Sequence, residues 1–428
     1  MAEHARALSA AGQAEAAAAA VTEALDAQGP EGDGRTWLLR LRAELHAAAG
    51  DDRAAATDLE DALGAGDADA LPALVAALDR RRLRAAEGGD FAAERDATMR
   101  LVDVLPRAGQ SDVAEALLAG WTERAPRDAE ALRRVGDLHA SAGRWDDAVT
   151  IFQRLVQAEE GPEQVAAALR LADACERAGR PEEARDGLER AYERNRGDEG
   201  LRHRLRALYE GLAMPREAAR LWMDDADFAP DEDARFERLR RAGETWLDQA
   251  SDPGQAVVVL EQARALRPSD HDITVLLADA FTAAERLADA SQLLNDAIAG
   301  HRNRRSKELA VLQHRMGRLA YAAADHAVEM AWLNAALDTD PQNGQVAAEL
   351  ADVAMELQNY EIALKALRAV ALMKSPGPMS RAMAFLKQGR IAHAQGDSKR
   401  AIFLARKSLS EDANLTEAQD FLREIGAE

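Results

Sequence analysis

The sequence is poor in the residues that build several kinds of protein. It holds a single cysteine, Cys175, in 428 residues, which excludes an intrachain disulfide framework and a cysteine cluster for zinc or iron and sulfur. Aromatic residues make up only 4%, and β-branched residues are sparse, leaving little of the usual material for strands. Thirteen prolines leave long stretches without a helix breaker. No run of about 20 apolar residues occurs that could span a bilayer, and the opening MAEHARALSAAGQAEA lacks the apolar stretch of a signal peptide. A cytoplasmic location is the expectation, with no membrane insertion. Lysine is scarce as well: all six lie beyond residue 306, and the other basic residues are arginine.

Alanine is what the chain has in abundance. Runs such as AEAAAAAVTEAL (14–25) stand near the top of the helix-propensity scale, so an all-α fold is predicted. The formal charge is −21, which opposes nucleic acid as the main partner because phosphate binding needs clustered basic residues. That charge is uneven: residues 1–300 carry −22 and residues 301–428 carry +1.

Self-similarity organises the rest. In LRRVGDLHASAGRWDDAVTIFQRLV (132–156), Leu132, Val135, Gly136 and His139 share one helical face. Gly143 then breaks the helix, and Ala148, Phe152 and Leu155 form a second apolar stripe at helical spacing. The unit is a helix, a tight turn and a second helix. A small residue in the first helix, another twelve later and a third site four beyond recur as Gly136, Ala148, Phe152; Ala172, Ala184, Leu188; Ala278, Ala290, Leu294; Ala351, Ala363, Leu367; and Gly389, Ala401, Ala405. Small residues at facing sites let two helices cross closely. Pro230, Pro268 and Pro341 close three of the units.

These residues resemble the tetratricopeptide repeat, closely over residues 129–413 and more distantly over 1–64. The resemblance implies a right-handed superhelical solenoid of stacked antiparallel helix pairs, about 10–11 repeats here, with the first helices lining a concave groove. Glu329 stands where the pattern has alanine, and Ala405 replaces a large residue; local loosening is expected at both. Between residues 70 and 124 the register fails, since the turns at Gly89 and Gly109 are only twenty residues apart. The expected divisions are a degenerate region 1–128, an acidic array 129–300 and a charge-neutral array 301–428 ending in a capping helix over 415–426. From Ala148 the second-helix marker recurs at 184, 218, 256, 290, 329, 363 and 401, in steps alternating between 34 and 36–39 residues. Four added residues make about one helical turn. Every second unit should therefore carry a longer first helix or loop.

Catalytic motifs are not found. GPEGDG (29–34) lacks the strand and the Lys-Ser/Thr that a phosphate loop needs, and the histidines lack metal-ligand spacing. Neither a cofactor nor a metal is expected, and the six tryptophans fit interhelical packing. What remains is surface. The residue after the small site of the first helix is Asp137, Asp173, Asp279 and Asp352, which the resemblance places on the groove as candidate contacts for a peptide or protein, favouring Arg- or Lys-bearing ligands. HRNRR (301–305), with Arg302, Arg304 and Arg305, falls at the charge boundary and could dock an acidic partner or another copy of the chain. The leading expectation is a non-catalytic interaction scaffold. The alternative is the regulatory repeat region of a larger kinase, transferase or secretion or motility component.

Overall fold

The computed structural model describes residues 7–8, 11–28, 34–301, 305–375 and 377–427. Among these residues the regular structure is helical, in two compact units, Met1–Leu208 and Tyr209–Glu428. The division by packing differs from the division by composition. The change of charge near residue 300 falls inside the second unit, between the helices Leu287–Gly300 and Lys307–Ala322.

The first unit opens with the helix Ala14–Gln28 and continues with the pairs Arg35–Ala48 with Asp52–Gly64 and Ala70–Gly88 with Phe91–Val104. Ser111–Arg124 follows a 3-10 turn at Leu105–Ala108 that touches both it and Phe91–Val104, so residues 70–124 hold three successive helices rather than whole pairs. The pairs resume with Ala129–Ser141 and Trp145–Ala158, then Gly161–Ala178 and Pro181–Tyr192. The odd number of helices accounts for the broken register that the close turns at Gly89 and Gly109 announce.

The second unit contains the pairs Glu232–Glu244 with Pro253–Leu266, His271–Ala283 with Leu287–Gly300, Lys307–Ala322 with His326–Thr339, Gly344–Glu356 with Tyr360–Leu372, and Arg381–Ala394 with Ser398–Glu411. Thr416–Glu424 closes it as a short amphipathic cap that buries Ala418, Phe421 and Leu422 and turns its charges outward. First helices of 13 residues alternate with longer ones: Gly161–Ala178 has 18 and Lys307–Ala322 has 16. Where Glu232–Glu244 itself has 13, a π-helical segment, Thr245–Gln249, extends it and absorbs the additional residues. The last long unit places its surplus in the connection 373–380 instead.

Close crossing is what the small sites provide. A Cβ added to Gly136 would lie 2.3 Å from Phe152 Cε1, and one added to Gly317 would lie 2.9 Å from Leu333 Cδ2. The two departures from the pattern are accommodated rather than loosened. Glu329 is buried, but its carboxylate accepts a hydrogen bond from His326 Nδ1 at 2.8 Å, and Leu333, Ala336 and Leu337 on the same helix remain buried. Ala405 leaves room that the cap fills: a Cβ at Gly389 would meet Phe421 Cε1 at 3.5 Å, and His393 stands edge-on to the same ring.

Candidate functional site

The four candidate aspartates occupy the same position on their first helices, and each meets a cation from the next first helix. Asp137 accepts both its bonds from Arg170 Nη1 at 2.9 and 3.0 Å. Asp173 accepts from Arg204 Nη2, on the helix Glu199–Gly211, at 3.0 Å, and Asp279 lies 2.7 Å from Arg315 Nε. Asp352 pairs with Lys387. Asp103 adds an earlier rung with Arg134 at 2.6 Å. The partner follows its aspartate by 31 to 36 residues, so each pair ties one repeat to its neighbour. These are surface pairs: the side chains of Asp137, Asp173 and Asp352 are more than half exposed, and only Asp279, at 26%, is largely covered. Each contributes roughly 0–1 kcal/mol. The row is therefore an ion-paired ladder, not a bare line of carboxylates.

Two clefts open beside the rungs of the first unit. One of about 450 Å3 has Val102, Leu118 and Leu138 as its apolar lining and Asp103, Arg134 and Asp137 as its polar one. Another, about 390 Å3, is lined by Ala172, Ala184, Leu188 and Leu208, with Glu176 and Arg204 among its charged residues. Shallow apolar ground flanked by fixed charges suits a peptide side chain better than a small metabolite, which calls for an enclosed pocket.

Other singled-out residues are structural. Arg80 and Arg84 both hold the buried carboxylate of Asp52, at 3.0 and 2.8 Å, and Arg81 pairs with Asp96 at 2.6 Å. The basic run DRRRLR is thus consumed by ion pairs. Arg42 holds buried Asp58 at 2.6 Å, and Arg124 holds buried Glu94. These buried acids carry no sequence mark that distinguishes them from solvated ones; their partners lie on other helices. Cys175 is buried, and that burial raises its thiol to about 11, so it is inert. Trp121 and Trp246 are buried, while Trp37 is exposed. Arg302 and Arg304 of the proposed docking cluster lie outside the described residues; Arg305 is exposed. Among the described residues no group of three or more His, Cys, Asp or Glu side chains is arranged to hold a metal ion, and no helix is long and apolar enough to cross a membrane.

Compared with known families, residues 99–159, 136–199 and 349–414 match one model of the tetratricopeptide repeat, and residues 249–312 match a second; together they span more than half of the chain. The chain belongs to the tetratricopeptide repeat family. It is an all-α repeat protein of the kind that forms protein-interaction scaffolds. No curated protein matches it in sequence. Among solved structures it is similar to the APC/C hetero-tetramer Cut9-Hcn1, at 16% identity over 98% of this chain and 82% of that one, with a TM-score of 0.32. It is also similar to the C-terminal part of a TPR repeat-containing protein from Cytophaga hutchinsonii, at 14% identity over 59% of this chain and 98% of that one, TM-score 0.41. YrrB, a TPR protein with an unusual peptide-binding site, matches at 13% identity over 43% of this chain and 89% of that one, TM-score 0.32. Likeness at this level says nothing of partners.

Proposed function

We propose that this repeat protein is a non-catalytic scaffold that binds a peptide or protein segment along the face formed by its first helices. The observation that supports this reading most is the ladder itself. Asp137, Asp173, Asp279 and Asp352 recur at one helical position, and three of the four remain well exposed despite their cation. A paired carboxylate still has lone pairs free for a ligand N–H. An Arg or Lys on the ligand would have to compete with Arg170, Arg204, Arg315 or Lys387 for these oxygens, an exchange of like for like with little net gain. Hydrogen bonding to a peptide backbone is therefore the favoured use of the aspartates, with the clefts beside Leu138 and Leu188 taking apolar side chains.

Site-specific photo-crosslinking tests the face. A crosslinker at Asp137, Asp173, Asp279 or Asp352 should capture bound protein in cells, whereas one at Val258 or Phe403, exposed on second helices, should not. Crosslinks confined to the second-helix positions would refute the reading.

A further inference from the structure

The ladder of the second unit repeats every two pairs, and the repetition leaves one charge over each time. Asp279, Arg315 and Arg318 correspond to Asp352, Lys387 and Arg390 at offsets of 73, 72 and 72 residues. In both sets the aspartate pairs with a cation on the next first helix, Arg315 or Lys387. In both sets the second cation, one turn further along that helix, is exposed and has no ion-pair partner within 4.0 Å among the described residues. Glu349 feels the charge of Arg318, but it already accepts from His314 Nε2 at 2.6 Å and Gln345 Nε2 at 2.5 Å.

Resting on the reading that the first-helix face binds a protein segment, we infer that Arg318 and Arg390 select a segment carrying acidic side chains, one for each arginine. The two arginines stand on first helices separated by one other, that of Gly344–Glu356, which is tied to the first by His314–Glu349 and to the second by Asp352–Lys387. These helices meet through side chains rather than by close backbone packing, so the wider end of the usual spacing, about 10 Å, applies and the arginines are about 20 Å apart. An extended chain advances about 3.3 Å per residue and turns alternate side chains to one face, which sets the acids about six residues apart. Guanidinium favours carboxylate through paired N–H donors, and the acidic remainder of the protein adds selectivity by repelling acidic segments elsewhere. The preferred ligand thus has the opposite sign from the one that the aspartates alone would suggest.

The test uses the full chain and three fluorescein-labelled peptides in a Gly-Ser background, read by anisotropy. The first has two Glu-Glu pairs centred about six residues apart, the second the same glutamates in one block, and the third has Lys in place of Glu in the spaced arrangement. The spaced acidic peptide should bind best, and Arg318→Ala and Arg390→Ala should each weaken it about tenfold with unchanged melting. The double reversal Arg318→Glu/Arg390→Glu should transfer preference to the lysine peptide, which a merely structural role would not do. Equal binding by wild type and the double alanine variant overturns the inference, as does preference for the block or the lysine peptide, or no binding by the wild type. If cellular protein still crosslinks at Asp279 and Asp352 in the double alanine variant, the inference fails while the first-helix face stands; loss of first-helix crosslinks in the wild type refutes that face itself.

Discussion

The two units solve the same turn differently. Where a first helix meets its second, the chain needs one residue in the left-handed region so that the following N–H can bond back to the carbonyl five residues before it. In the first unit glycine fills that place, at Gly50, Gly89, Gly143 and Gly179 among others. In the second it is Ala213, Ser251, Glu285, Ala324 and Gln358, with φ between 51° and 60°, and only Gly396 keeps the glycine. The bond survives the change: Arg144 N reaches His139 O at 2.9 Å, and Asn359 N reaches Ala354 O at 2.8 Å. Left-handed backbone is thus demanded by the repeat, and glycine is merely its least strained occupant. Helix N-caps follow these turns in both units: Asp51 and Asp90 in the first and Asp252, Asp325 and Asn359 in the second accept a backbone N–H directly after the turn, whereas Arg144, Arg180, Met214 and Arg286 do not.

This contrast can be broken or sharpened by substitution. The largest effect should come from the crossing rather than the turn. Gly136→Ala, forced against Phe152, should destabilise the first unit by about 1–3 kcal/mol, read as a lowered urea midpoint. Gly143→Ala should cost about 1 kcal/mol by the same measurement, since no side chain relieves its left-handed backbone. An unchanged midpoint would mean that the turns of the two units are equally tolerant.

A pH series separates the units next, because the second holds His326 against Glu329 and His314 against Glu349. The Glu329 hydrogen bond raises His326 above its ordinary value. Its contribution is therefore complete below that ordinary value and should fade as pH rises through the raised one. Burial pushes Glu349 upward, but hydrogen bonds from His314 and Gln345 outweigh it and hold the group below its ordinary range. That contribution should be present above the ordinary carboxylate value and vanish as pH falls through the lowered one. Melting of the second unit should accordingly be best in mildly acidic solution, and His326→Gln should remove the loss on the alkaline side. A flat profile in the wild type would discount both pairs. The smallest effect belongs to Ala324→Gly, where relief of left-handed strain and the added chain entropy nearly cancel, for a gain of up to about 1 kcal/mol.

Much of this fold was legible in sequence because close crossing restricts residue type: Gly136, Ala148 and Phe152 announce a helix pair wherever they recur. The odd number of helices over residues 70–124 left only a disturbed spacing, since nothing local records that three helices stand where two pairs would need four. The turns of the second unit were obscure for a different reason. Ala324 and Gln358 are ordinary helix residues, and their backbone is imposed by the helices on either side. The aspartates were found by position, but not their partners. Arg170, Arg204, Arg315 and Lys387 become visible only once successive first helices are laid side by side, and that pairing changes the aspartates from open charges into rungs.

The double period also makes the array divisible. Removing residues 280–352 would join Asp279 to Val353, the residue that follows Asp352 in the intact chain, and so restore an unbroken first helix. Asp279 would then face Lys387 instead of Arg315, a cation of the same sign on an equivalent helix. A cut of one pair would not do this, because it would set a short first helix beside another short one or a long beside a long. The chain should therefore tolerate shortening or lengthening in steps of about two helix pairs, and the extent of its first-helix surface is a quantity that can change by whole increments.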